Sequence, residues 1–466
     1  MNPNRDFIRR ASAAGALALM IVSLGACSRT NDQLLQADTP DIINPSTVTS
    51  PEAADALRIG ALGRVRGVTA GGEGAWLLGT LLTDEWRSSD TFSQRNETDQ
   101  RTVQESNANV QGMYTALHQV RNSAREAVKA LNTYKPSPAW GIGQMWWAMG
   151  FAEMTLGQVF CNGIPLGDAS TGVSIYTVPL TNADVFAAAI AHMDTALTFL
   201  TATDAATVAI KNTVLITRAR LMVELGQFAA AAALVNPIAT SFANTVVTFS
   251  LTSGDNQIWS LNNSAKRWTV GDSLDFLGRI INAIPYASLN DPRVPVKGST
   301  LGTSSQGRGF DGSTNLVAQF LWGRSDPTNI VSGIDARLIE AEAALQVQDI
   351  AGMMTILNAL RTTSQTIGAQ AGVAVTTGVM ATLATPATQS AAVDLFFREK
   401  ALWQFSRGFR LDDSRRLVRQ YNRDQATVYP VGSAMKSGAY GTDVNFPVTT
   451  NEYNNPNFKG CLDRKA

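Results

Sequence analysis

The chain has 466 residues, with 38 Lys and Arg against 38 Asp and Glu, so its formal charge at neutral pH is zero. Charged residues make up only 16%, below the usual quarter, and Thr, Ser, Asn and Gln stand in their place. A neutral surface of hydroxyls and amides excludes a nucleic-acid partner, which needs a basic footprint, and suits uncharged ligands outside the cytoplasm.

The N-terminus reads as an export signal. Arg5, Arg9 and Arg10 precede an uncharged, mostly apolar run over residues 11–26. At about 1.5 Å per helical residue this run reaches about 24 Å, short of a ~30 Å hydrocarbon core, so it is a cleavable leader rather than a span. Leu24-Gly25-Ala26-Cys27 places small residues directly before a cysteine, as in a bacterial lipobox. Residues 1–26 are therefore expected to be removed as a signal peptide, leaving Cys27 as a lipidated, palmitate-bearing N-terminus. The competing reading is an ordinary secretory signal with a chance cysteine. Ser28, rather than an aspartate, favours passage to the outer membrane. Two acyl chains anchor stably where one is marginal. Residues 27–50, polar and punctuated by proline, are expected to form a tether.

From Pro51 the apolar period is helical. Val110, Met113, Leu117 and residues 120–124 mark one amphipathic helix. Residues 146–159 mark another with few polar positions, ending at Asn162-Gly163 before Pro165. Residues 182–200 and 212–225 form a helical hairpin that Gly226 closes, and residues 228–234 resume the pattern. The run LMVELGQFAAAAALV resembles a tetratricopeptide-type unit, whose alanine-rich helix lets a neighbour pack closely. Residues 334–345 with 351–361 make a second, degenerate pair. Between them, residues 240–331 turn to Gly, Ser, Asn, Pro and aromatics, with short β-leaning runs such as 245–251. Loops on a rigid frame are where binding residues usually lie. Residues 367–386 read as a linker-like loop, and residues 393–409 as one helix with Leu395, Leu402 and Phe409 on a core face. The predicted fold class is mainly α. Tetratricopeptide-like helical hairpins frame residues 51–237 and 333–466, with a loop-rich, partly β insertion over 238–332.

The sequence offers little for catalysis. His118 and His192 each lie within an amphipathic helix, and HExxH, GxSxG and GxxxxGK[ST] are absent. No spacing suits a metal or cofactor. Ser433-Ala-Met-Lys436 fits S-x-x-K without the partner motifs that would give it meaning. Asp84 and Glu85 are chain neighbours whose side chains point apart, unlike a glycosidase pair. Binding without chemistry is therefore the expectation. A saccharide site needs flat aromatics flanked by Asn, Gln, Asp or Arg. Asp84, Glu85 and Arg87 surround Trp86, making this stretch the first candidate. Trp268 and Trp322 lie in the insertion, with Asn262, Asn263, Arg267, Gln319 and Arg324 nearby. For each of these tryptophans the alternative is an aromatic that packs the insertion onto the helices. Trp146, Trp147 and Trp403 are assigned to the core. With Cys27 lipidated, Cys161 and Cys461 remain in an oxidising compartment, either as a disulfide or as two buried thiols.

The C-terminal third carries a resemblance. Its residues are Arg398-Glu399-Lys400, Leu402-Trp403, Arg407-Gly408-Phe409-Arg410-Leu411-Asp412-Asp413 and Arg415-Arg416, then Asn445-Phe446-Pro447-Val448, Glu452 and Asn455-Pro456-Asn457. Residues 337–343 and 357–361, Asp291-Pro-Arg293, Gly163-Ile-Pro165 and Pro40-Asp41-Ile42 extend it upstream. In order and spacing these resemble the RagB/SusD family over roughly residues 38–457. The resemblance implies a helical, lipid-anchored outer-membrane protein facing outward. Such a protein binds a nutrient, typically an oligosaccharide, and acts as a lid over a SusC-like TonB-dependent β-barrel. It also implies that the region of Trp86 contributes to ligand contact. Trp403 and Arg407 stand where members often carry glutamate. Glu399, Arg410, Asp413 and Arg416 are expected to pair internally, as structural rather than catalytic groups. The alternative function is a tetratricopeptide-type lipoprotein that holds a protein partner in envelope assembly.

Overall fold

Helices start where the sequence supplies caps. Ser50 accepts the Ala53 amide at 3.2 Å ahead of Pro51, and Asn107 accepts the amides of Asn109 and Val110. Thr181 with Asp184, and Ser332 with Asp335, close reciprocal capping boxes. The computed structural model describes residues 48–466 except 169–172, 246–247, 251, 276, 280, 435 and 437. The expected signal peptide, Cys27 and nearly all of the tether lie outside the described residues. Residues from Thr49 to Ala466 make one compact unit.

In chain order the elements begin with α1 (Pro51–Val68), α2 (Ala75–Leu81), β1 (Trp86–Ser88), α3 (Ser93–Asp99), α4 (Ala108–Tyr134) and α5 (Trp140–Val159). Next come β2 (Ile164–Pro165), β3 (Pro179–Leu180), α6 (Asn182–Thr198), α7 (Ala205–Glu224) and α8 (Phe228–Val235). The insertion carries β4 (Ala243–Asn244), α9 (Gln257–Trp259), β5 (Trp268–Val270), β6 (Val296–Gly298), β7 (Val317–Gln319) and β8 (Val331–Ser332). The chain closes with α10 (Gly333–Gln346), α11 (Ile350–Arg361), β9 (Thr366–Gln370), β10 (Val373–Thr376), α12 (Gln389–Trp403), α13 (Arg410–Tyr421) and α14 (Gln425–Val428). Each helix packs on the next along the series α1, α4, α5, α6, α7, α8, α10 and α11, the serial stacking of a helical-hairpin array. Among the described residues the strands form five two-stranded antiparallel ribbons. The mainly α architecture with a partly β insertion is the one expected.

The stack is tight because α5 offers glycine at every second turn toward α6. A Cβ on Gly143, Gly150 or Gly157 would come within 3.0 Å of Leu200, 2.8 Å of Met193 and 2.5 Å of Phe186 respectively. Seven residues are close to two helical turns, so these three positions share one face.

Two expectations are corrected. Residues 393–409 do not form one helix: α12 ends at Trp403, and α13 starts at Arg410. Ser406 (φ 62°) and Gly408 (φ 77°) turn the chain left-handed between them, and Gly408 lies so close on Trp76 that no Cβ fits. Residues 367–386 are not only a linker. They contain most of the β9–β10 hairpin, which turns through Ala371 and Gly372, both at positive φ, the conformation that right-twisting ribbons require.

Cys161 and Cys461 are joined, linking positions 300 residues apart. The link fastens the end of the chain to the exit of α5, beside Phe160 and Phe446, which bridge in parallel. The variant carrying serine at both cysteines is expected to lose about 2–4 kcal/mol of stability, because the unfolded chain regains the freedom of a very long loop. Urea unfolding of both forms measures this, and coincident transitions would contradict it.

Candidate functional site

Five residues singled out in the sequence, Asp84, Glu85, Trp86, Arg87 and Trp268, come together here, but inside the protein; Trp322 is buried elsewhere, bridging to Ala369. β1 pairs with β5 so that Trp86 faces Val270, Arg87 faces Thr269 and Ser88 faces Trp268. The Trp86 and Trp268 rings meet edge-on at 6.3 Å, and Trp86 stacks on Phe405 at 5.7 Å. Trp86 and Trp268 are 1% and 0% exposed, and Trp322 is 1% exposed. The expectation that these indoles contact ligand is corrected: Trp86 and Trp268 pack the insertion against Phe405 in the turn between α12 and α13, and Trp322 packs against β9.

The flanking polar groups are equally spoken for. Asp84 takes two bonds from Arg410, at 2.6 and 2.9 Å, and one from the Ile284 amide at 2.8 Å. Glu85 accepts the Ser406 amide at 2.7 Å. Complete burial lifts its carboxyl; the Ser406 bond pulls it back, the neighbouring Asp84 adds to the rise, and it reaches about 8. Arg87 donates to the Thr83 carbonyl at 2.8 Å and lies 3.5 Å from Asp99. All three are buried, so their assignment as ligand contacts is corrected as well. A core that must hold Asp, Glu and Arg does so by pairing them.

Past Asp90 the chain surfaces, and this buried block becomes the foundation of an exposed one. Asp90 stays buried and receives Arg267 Nη1 at 2.7 Å together with Arg95. Arg95 is held in turn by Glu73. Lys436 reaches the Asp90 carbonyl and pairs with Asp311 at 2.9 Å. Two phenylalanines then stand out, Phe92 and Phe310, each 50% exposed. The Arg267 guanidinium carbon lies 4.7 Å from the centre of the Phe92 ring and 3.8 Å from that of Phe310, within cation–π range. Asp90 holds the guanidinium from one side, so Arg267 fixes both rings as well as itself.

Backbone contacts lock the loop that carries Phe310. Its amide donates to the Lys266 carbonyl at 2.7 Å, and the Asp311 amide donates to the Ser89 carbonyl at 3.0 Å. Gly309 sits so close to Ser89 that no side chain fits. Asp311 caps the turn, accepting the Thr314 hydroxyl at 2.6 Å and its amide at 2.8 Å. Partial burial works against its charge, but the Thr314 bonds and Lys436 outweigh it and hold the carboxyl at about 2. The result is a rigid surface with two flat apolar faces around a guanidinium. Among the described residues only Nη1 of that guanidinium has a protein acceptor, which leaves Nε and Nη2 for a ligand oxygen.

Phe92 escapes the sequence reading because it lies five residues beyond Arg87, outside the polar stretch around Trp86. Phe310 is one aromatic among several in residues 240–331. Its position between Gly309 and Gly312 was the available signal, since a phenylalanine in a glycine turn has little around it to bury it. Neither histidine is free: His118 contacts Arg121, and His192 bonds Glu153 at 2.7 Å. Burial, and then Arg121, push His118 down to about 3. Among the described residues no group of three or more His, Cys, Asp or Glu is placed to hold a metal ion. No helix among them is long and apolar enough to cross a membrane.

Neither a protein-family model nor a curated protein matches the sequence. Solved structures do match, over nearly the whole chain. A SusD superfamily protein from Bacteroides vulgatus superposes with a TM-score of 0.61 at 14% identity, over 89% of this chain and 99% of its own. A SusD-like protein from Bacteroides fragilis gives 0.62 at 11%, over 90% and 98%. Surface glycan-binding protein A from Bacteroides uniformis gives 0.62 at 13%, over 88% and 99%. The chain has the SusD-like fold.

Proposed function

We propose that this chain, on its SusD-like fold, binds a saccharide at the Phe92–Arg267–Phe310 surface without transforming it. In this reading it is a lipoprotein anchored through Cys27 in the outer membrane, facing outward, and it hands its ligand to a SusC-like TonB-dependent barrel. The observation that carries the binding step is the pair of half-exposed phenylalanine rings set around one guanidinium on a locked platform. Sugar rings present C–H faces to such aromatics and hydroxyls to such donors. Two of the structural relatives are described as carbohydrate- or glycan-binding proteins, and a glycan is the class this surface suits.

Alanine at both Phe92 and Phe310 tests it. Losing two such faces should weaken retention on glycan affinity gels by at least about tenfold, with the far-UV spectrum unchanged. Undiminished retention, or none by the unaltered protein on any glycan, would refute the assignment.

The scaffold alternative draws on a different surface, where Ile175, Tyr176 and Val178 are exposed within a single loop. It predicts a protein partner whose binding the phenylalanine substitutions leave intact.

A further inference from the structure

We infer that a second cavity, between α12, α13 with the residues following it, and residues 282–285, binds the anionic group of an acidic saccharide. The saccharide part of this inference rests on the proposed function. The anionic part rests on the cavity alone. Its volume is about 530 Å³, within the range of small-ligand sites. None of its lining residues belongs to the Phe92–Phe310 surface.

The cavity's charges do not balance. Three guanidiniums line it, those of Arg398, Arg410 and Arg423, against two carboxylates, Asp84 and Asp394. Arg410 is closed on Asp84 by two bonds. Arg423 takes Asp394 at 2.7 Å, together with the hydroxyl and carbonyl of Ser390. Asp394 and Arg398 stand four residues apart on α12, the spacing at which such a pair would normally close. Arg423 draws Asp394 away instead. Arg398 has no hydrogen bond or ion pair among the described residues and is exposed. The cavity therefore holds one uncompensated positive charge, carried by a planar fork suited to a carboxylate or sulfate.

The remainder of the wall suits a sugar ring. Phe397, Ile284 and Pro285 supply apolar surface. Asn282 spends its Nδ2 on the carbonyls of Ala426 and Tyr429, leaving its Oδ1 to accept from a hydroxyl. The site is also firmly mounted, because α12 buries Phe396, Phe397, Glu399 and Lys400 on either side of Arg398.

The test is calorimetric titration of the whole chain with trigalacturonate and with its uncharged methyl ester, which has the same shape. The acid should bind at least about tenfold more tightly than the ester, and Arg398→Gln should erase that difference. Arg398 is exposed, so its replacement leaves the fold alone, which circular dichroism verifies. Phe92→Ala should weaken acid and ester together and preserve their ratio. Titration with galactose 6-sulfate, run on the same variants, decides whether a sulfate serves as well as a carboxylate. Equal binding of acid and ester, no binding of either acid, or a preference that survives Arg398→Gln would each overturn the inference. A preference lost in Phe92→Ala instead would place the charge recognition at the aromatic surface. That result would refute the second cavity while leaving saccharide binding in place.

Discussion

Replacing Glu342 with alanine should cost about 3–5 kcal/mol of stability, more than any single change at the surface. Glu342 is completely buried on α10, and three side chains from the C-terminal helices converge on it. Arg416 grips both oxygens, Lys400 lies 3.3 Å from one, and the Tyr421 hydroxyl donates to the other at 2.7 Å. Burial alone would raise the Glu342 carboxyl, but Arg416 and Lys400 outweigh it and hold it below the usual range. Alanine removes the anion and leaves two cations sharing Asp413, which already takes Lys400 at 2.6 Å and Arg416 at 3.4 Å. The penalty comes from the stranded charges rather than from the worth of the lost bonds. Urea unfolding at neutral pH reads it directly, and a loss below about 1 kcal/mol would mean the cations find water or other partners. Because the folded carboxyl is depressed, its contribution is present above the unfolded carboxylate value and fades as pH falls through the folded one.

Glu85 should act in the opposite direction. Its folded carboxyl is raised to about 8 by burial, so its neutral form is the comfortable one. Stability is then full below the unfolded glutamate value and declines as pH climbs toward 8, by up to about 1.4 kcal/mol per pH unit. Glu85→Gln keeps an oxygen for the Ser406 amide and removes the titration. The variant should match the unaltered protein near pH 4.5 and be several kcal/mol more stable at pH 8.5. Asp412, buried against Glu224 and also raised, leaves a residual slope of the same sign. Parallel stability profiles for the two proteins between pH 5 and 9 would sink the assignment.

The helical frame was legible because its signals are local. Caps, glycine stops and apolar periodicity all act within a few residues, and helices such as α6 and α10 begin within one residue of the positions they indicate. The C-terminal signature was legible as a set of pairing groups, but its partners were not. Glu399 meets Arg293 and Arg361, Arg410 meets Asp84, and Arg407, at a departure from the family pattern, meets Asp335. The same distance effect misled the reading of Trp86. Polar residues packed around an indole look like a surface until Ile284, Arg410 and Ser406, 200 to 326 positions away, are seen to satisfy them. The break between α12 and α13 is harder to see for another reason: Gly408 is its one overt signal, and Ser406, left-handed at φ 62°, is not a glycine.

The buried ion pairs also impose an order of events. A chain is made from its first residue onward, and for Asp84, Asp335 and Glu342 the anion comes first. Asp84, Asp335 and Glu342 are all present before α12, the Ser406 turn and α13 deliver Lys400, Arg407, Arg410 and Arg416 to them. A chain broken off ahead of α12 would have to seal three carboxylates in its interior without the cations that bond them, and it would stay open instead. Closure of the fold thus audits whether synthesis was finished, and truncated copies are left exposed to proteases.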